Sequence, residues 1–169
     1  MLTGKIPSEL EELTSLEELQ LSGNDFEGEI PESLGNLVQL RVLRLYNNPE
    51  LCGVLSIAFG KLKLLKAIEI HNTAIMGPIP VEICSLENLK RLDLSLQLNP
   101  DIPNVIPVEI ASLSQLEELN LSECNLVGSI PQGLGQLPQL RVLLLNINNL
   151  SGESSDGFEF SRTGGLFFE

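Results

Sequence analysis

Tryptophan is absent from this chain of 169 residues, and tyrosine and histidine occur once each, as Tyr46 and His71. A single histidine supports neither a zinc site nor a Ser-His-Asp arrangement, both of which need several convergent groups. The acid pairs Glu17-Glu18 and Glu117-Glu118 are adjacent in sequence, so their side chains diverge along a strand and make poor acid/base partners. Gly60-Lys61 lacks the glycine spacing and the following Ser or Thr of a phosphate loop. No enzyme, metal or cofactor is expected. Cysteine is scarce: Cys52, Cys84 and Cys124 are too few and scattered for a disulfide framework, and all three read as free thiols. Bases are outnumbered, ten against 23 acids, for a net charge of −13. That field opposes nucleic acid and anionic lipid. No run of about 18 apolar residues is present, so no membrane insertion is expected. Residues 1–20 carry five glutamates and no apolar run, which does not read as a secretion signal. As it reads, the chain is soluble and cytoplasmic, or extracellular and membrane-associated if it is a piece of a receptor.

What the chain has in abundance is spaced leucine. Leu16-Glu-Glu-Leu19-Gln-Leu21-Ser-Gly-Asn24 restarts at Leu40, Leu65, Leu89, Leu116 and Leu140, at intervals of 24, 25, 24, 27 and 24 residues. A period in this range predicts a solenoid, whose product is an extended contact surface. Counting from the first Leu of each copy, positions +3 and +5 are Leu19/Leu21, Leu43/Leu45, Ile68/Ile70, Leu92/Leu94, Leu119/Leu121 and Leu143/Leu145. Apolar residues two apart face one way on a strand, so each copy supplies one strand of a parallel sheet of about six strands. Position +8 is Asn24, Asn48, Thr73, Gln97, Cys124 and Asn148. A buried Asn there satisfies backbone groups that the turn leaves unpaired; Thr does part of this and Cys only weakly. In the fourth copy Asn99 is expected to replace Gln97. The return path carries an apolar residue near +10, a Gly two later, then Ile-Pro, as in Gly28-Glu-Ile30-Pro31 and Gly128-Ser-Ile130-Pro131.

This spacing, LxGxIPxxLxxLxxLxxLxLxxN, resembles the plant-type leucine-rich repeat over residues 2–152, about 90% of the chain. The resemblance implies an α/β solenoid: a right-handed horseshoe with a concave parallel sheet and Gly-x-Ile-Pro return segments flanking it. It also implies kinship with ectodomains of receptor-like kinases and receptor-like proteins and with polygalacturonase inhibitors. The chain starts inside a repeat, without the cysteine-containing cap of such ectodomains. An uncapped N-terminal edge strand is then open to self-association. Residues 1–152 are expected to form the solenoid, and 153–169 a tail holding Phe158, Phe160, Phe167 and Phe168, either folded back as a cap or disordered. Asn48-Pro49-Glu50-Leu51 adds one residue to its copy, and the segment Ser95–Ile102 adds three.

The surface able to bind is the outward side of the strands, at +2, +4, +6, +7 and +9. Core positions are monotonous, whereas these vary in charge and size. The expected ligand-binding residues are Gln20, Arg44, Tyr46, Glu69, His71, Arg91, Asp93 and Asn120; Tyr and Arg are frequent anchors of protein contacts. The expected partner is a protein or peptide, in recognition or signalling, with defence among the roles the resemblance implies. Two other readings are an enzyme inhibitor resembling the polygalacturonase inhibitors and an inactive fragment of a longer receptor. Asn120-Leu-Ser122 and Asn149-Leu-Ser151 match the N-glycosylation sequon; a glycan on Asn120 would stand on the sheet face.

Overall fold

The computed structural model of the chain describes residues 1–96 and 103–151. Gln97, Asn99, most of the second insertion and the phenylalanine-bearing tail therefore lie outside the described residues. Within them run twelve short strands: β1 (Thr3–Lys5), β2 (Glu18–Gln20), β3 (Asp25–Glu29), β4 (Val42–Arg44), β5 (Asn48–Val54), β6 (Ala67–Glu69), β7 (Thr73–Met76), β8 (Arg91–Asp93), β9 (Glu118–Asn120), β10 (Val127–Gly128), β11 (Val142–Leu144) and β12 (Asn149–Leu150).

Six of them, in the order β2-β4-β6-β8-β9-β11, form the expected parallel sheet on the concave face. Leu19, Leu43, Ile68, Leu92, Leu119 and Leu143 stand in register across it. All six are buried, as are most of their +5 companions. The strands are short because the turn follows at once. Position +7 adopts left-handed backbone in every copy: Gly23, Asn47, Asn72, Leu96, Glu123 and Ile147 have φ between 53° and 68°. Positions +7 and +9 therefore leave the sheet, and the concave surface is narrower than the sequence pattern suggested. Gly and Asn suit this conformation; a β-branched Ile does not.

The side chain at +8 then repairs the turn. Asn48, fully buried, donates from Nδ2 to the Leu45 carbonyl at 2.7 Å and the Leu21 carbonyl at 3.1 Å. Its Oδ1 accepts from the Phe26 amide at 3.2 Å. Asn24 and Asn148 repeat this pattern. The expected ranking of the two substitutes is reversed. The Cys124 thiol donates to the Leu94 carbonyl at 3.1 Å, short for a bond from sulfur. The Thr73 hydroxyl is buried without a partner. A thiol reaches further than a hydroxyl held on a stiff β-branched Cβ.

Beyond the turn the sequence pattern missed a second sheet. β1, β3, β5 and β7 pair in parallel, and β10 pairs β12. Gly4, Gly28, Gly53, Gly77 and Gly128 take positive φ along these strands. The extra residue at Pro49 is absorbed as a register shift between Asn48 and Cys52. Each described return ends in a turn of 3-10 helix such as Ser8–Glu12 or Val108–Ser112, both entered through a proline whose φ near −65° is already that of the turn. In the second copy Ser56 replaces that proline, and its hydroxyl instead accepts from the Ala58 amide at 3.1 Å. Between sheets and turns lies one continuous aliphatic core, with Phe26 and Phe59 among its members.

Candidate functional site

Outward residues at equivalent positions of successive copies lie side by side, so the concave face is a set of columns. The +6 column holds Ser22, Tyr46, His71, Ser95, Ser122 and Asn146. Tyr46 and His71 stack, ring centroids 4.6 Å apart and planes within 5° of parallel. A parallel stack at this spacing follows from the sheet itself, because neighbouring strands are about 4.8 Å apart.

The +4 column holds Gln20, Arg44, Glu69, Asp93, Asn120 and Leu144. Arg44 Nε bonds Glu69 Oε1 at 3.0 Å, and the Glu69 side chain is only 11% exposed. Asp93 accepts from the Ser95 hydroxyl at 2.7 Å and from Asn120 Nδ2 at 3.2 Å. Asn120 Oδ1 lies 2.9 Å from Ser122 Oγ, which lies 2.7 Å from Asn146 Oδ1. One hydroxyl cannot donate to both oxygens, so the Asn146 amide is better placed with its nitrogen toward Ser122. The result is a polar chain from Asp93 to Asn146 that fixes every rotamer along it.

Flanking these columns, the charges alternate. Arg41 pairs Glu17 at 2.9 Å, Lys90 pairs Glu117 at 2.7 Å, and Arg91 pairs Glu118 at 2.8 Å. The Lys90 hydrogen bond, with the charge of Lys90 itself, holds the Glu117 carboxyl below the usual carboxylate range. Lys66 is exposed between them, and among the described residues no ion pair includes it. The face therefore carries a shallow open groove lined by Arg44, Lys66, Glu69, Arg91 and Arg141 among others.

Of the eight residues singled out from sequence, the structure thus joins Arg44 to Glu69, Tyr46 to His71, and Asp93 to Asn120. Arg91 turns to Glu118, and Gln20 bonds Glu18 at 3.2 Å; neither reaches the others. Lys66, Ser95, Ser122 and Arg141 were missed. The two serines stand at +6 beside chosen +4 residues, and the lysine and arginine share the +1 column, so the repeat register alone was enough to find them. Among the described residues no three His, Cys, Asp or Glu side chains converge to hold a metal ion. No helix of the described residues is long and apolar enough to cross a membrane.

A family profile described as a leucine-rich repeat region matches residues 31–159, and a single leucine-rich repeat profile matches residues 15–37. The chain belongs to the leucine-rich repeat family, in its plant-type form. Receptor-like protein 39 of Arabidopsis thaliana is 35% identical over 149 residues, which are 87% of this chain and 16% of that protein. The solved leucine-rich repeat ectodomain of the Arabidopsis receptor kinase HAESA, in complex with a peptide hormone ligand, superposes with a TM-score of 0.85. It is 30% identical, over 94% of this chain and 26% of that one. The plant peptide hormone receptor RGFR1, in complex with RGF2, superposes with a TM-score of 0.81 and is 32% identical over 88% of this chain and 23% of that one. The chain thus spans about a sixth of the curated relative and about a quarter of each of these structures. Within the leucine-rich repeat architecture Asn120 is tied through Nδ2 to Asp93 and Ser95, whereas Asn149, in the other sequon, is exposed on β12.

Proposed function

We propose that this chain is a ligand-binding stretch of leucine-rich repeats that receives a protein or peptide along its concave face, in recognition or signalling. The observation that supports the reading best is the immobilised concave surface. The Tyr46–His71 stack, the Arg44–Glu69 pair and the Asp93–Asn120–Ser122 chain are fixed before any ligand arrives. A ligand laid across the strands meets a new side chain about every 4.8 Å without ordering the receptor, and so avoids much of the entropy cost of association. The similarity to ectodomains solved with peptide hormones supports an extended peptide as the occupant.

Arg44 carries charge and Tyr46 apolar area at the second of the six strands of this surface, and both are types that dominate binding energy. The test is selection of linear peptides from a displayed random library against the purified chain. The selected peptides are then titrated against Arg44→Ala/Tyr46→Ala. A fall in affinity of tenfold or more, in a variant that still unfolds cooperatively, is the expected result. Selected peptides that bind the double variant as tightly as the parent would overturn the assignment.

A further inference from the structure

A second surface lies off the concave face and is independent of that reading. The residue following the return-path proline position is Ser8, Glu32, Ile57, Val81, Val108 and Gln132 in successive copies. The first, second and last are polar, as an exposed position demands. The middle three are β-branched aliphatics, and they are 61%, 51% and 70% exposed. The residue before the buried return-path aliphatic shows the same interruption. It is Lys5, Glu29, Val54, Pro78, Val105 and Ser129, with Val54 58% and Val105 54% exposed.

Two columns therefore turn apolar together over the same three copies, making a two-by-three block of Val54, Ile57, Pro78, Val81, Val105 and Val108. Val54 leans over the next copy, its Cγ1 only 3.2 Å from where a side chain on Gly77 would begin. Single exposed aliphatics are ordinary; a contiguous block on the order of a few hundred Å² marks an interaction site. The aliphatic side chains of the block stand exposed rather than recessed, so its occupant is another protein surface.

The rim identifies the chemistry of that surface. Glu29 and Glu32 close one end of the block, and Glu82 and Glu109 follow Val81 and Val108; all four are exposed. Glu82 and Glu109 are near enough to each other for the Cys84 thiol to feel both. Of the bases near these turns, Lys61 stands at the far end of its own turn from Ile57, and Lys63 donates to Ser85 at 2.7 Å rather than to these carboxylates. A second copy of this chain would bring like rims together, and anionic lipid would be repelled. We infer that the lateral face of the second to fourth copies docks a protein segment with an aliphatic centre and basic flanks.

The probe is a synthetic amphipathic peptide of leucine and lysine, compared with the same peptide carrying glutamate for lysine. The chain is tested as the parent, as Val81→Asp/Val108→Asp and as Arg44→Ala/Tyr46→Ala. Adding two negative charges strengthens a purely Coulombic complex with a cationic peptide. A fall in affinity on Val81→Asp/Val108→Asp therefore reports lost apolar contact. The expected result is binding of the lysine peptide that this variant weakens at least tenfold, with the concave-face variant unaffected and the glutamate peptide not binding. Equal or tighter binding to Val81→Asp/Val108→Asp overturns the inference, as does equal binding of both peptides. Concentration-dependent dimerisation that the aspartates abolish would also overturn it, by assigning the block to a second copy. Both aspartates enter at exposed positions, and an unchanged melting curve verifies that the fold survives.

Discussion

Replacing Asn48 by alanine tests whether the amide ladder or the leucine core holds the turns in place. An amide nitrogen has two hydrogens, and the two short contacts of Asn48 Nδ2 go to the Leu45 and Leu21 carbonyls. The Leu21 carbonyl keeps a second donor, Asn24 Nδ2 at 3.0 Å. The Leu45 carbonyl and the Phe26 amide lose their Asn48 partner, in a region sealed from water. At about 1–3 kcal/mol for each of these two stranded groups, the cost is about 2–6 kcal/mol. Asn48→Asp keeps the shape and removes the donors, so it should cost more than alanine at neutral pH. Its penalty should shrink as pH falls, because a protonated carboxyl regains one donor. Equilibrium urea unfolding followed by circular dichroism measures both variants. A loss below about 1 kcal/mol for alanine, or a harmless aspartate, refutes the ladder argument. The reciprocal change, Thr73→Asn, swaps side chains of similar volume where a hydroxyl is buried and unpartnered; it should stabilise by about 1 kcal/mol in the same assay.

Ile147→Asn should raise stability by about 1 kcal/mol in urea unfolding, because Ile147 holds φ at 55° with a branched side chain and Asn tolerates that backbone. Gly35→Ala should cost about 1–3 kcal/mol, since its Cβ would sit 2.6 Å from Ala58 Cβ and 2.7 Å from the Ala58 carbonyl oxygen. Gly135→Ala meets nothing within 4 Å and should shift the melting temperature upward or not at all. The Cys84 thiol is pushed up to about 11, first by burial and then by Glu109, so about one molecule in a thousand carries the thiolate at pH 8. Iodoacetamide mapped by mass spectrometry should therefore modify half-buried Cys52 well before Cys84.

The concave sheet and its register were legible in the sequence because burial on one side of a period-2 strand leaves a spaced apolar pair, and the interval between pairs fixes how strands stack. The second sheet was not legible: Asp25–Glu29 buries only Phe26, and Thr73–Met76 alternates over just four residues, too short a run to read as a strand. The left-handed +7 position was announced by Gly23, Asn47 and Asn72, but Leu96, Glu123 and Ile147 masked it. At the concave face the columns followed from the repeat, so the Tyr46–His71 neighbourhood was readable. The partner choice of Arg91, which turns to Glu118 rather than Asp93, rests on rotamers that spacing does not specify. The lateral apolar block was also present in the sequence, one position before and two positions after the buried return-path aliphatic, but it shows only when the columns are read across copies.

The stacking of Tyr46 on His71 also has a spectroscopic consequence. With no tryptophan and one tyrosine in the chain, absorption and emission beyond the phenylalanine range come from a single ring. That ring stands on the concave face, in contact with the chain's one imidazole. Ordinary near-ultraviolet spectra of this protein are therefore local measurements of one spot on one surface. An unlabelled chain reports an arriving ligand there directly, while a partner docking on the lateral valines leaves the signal dark.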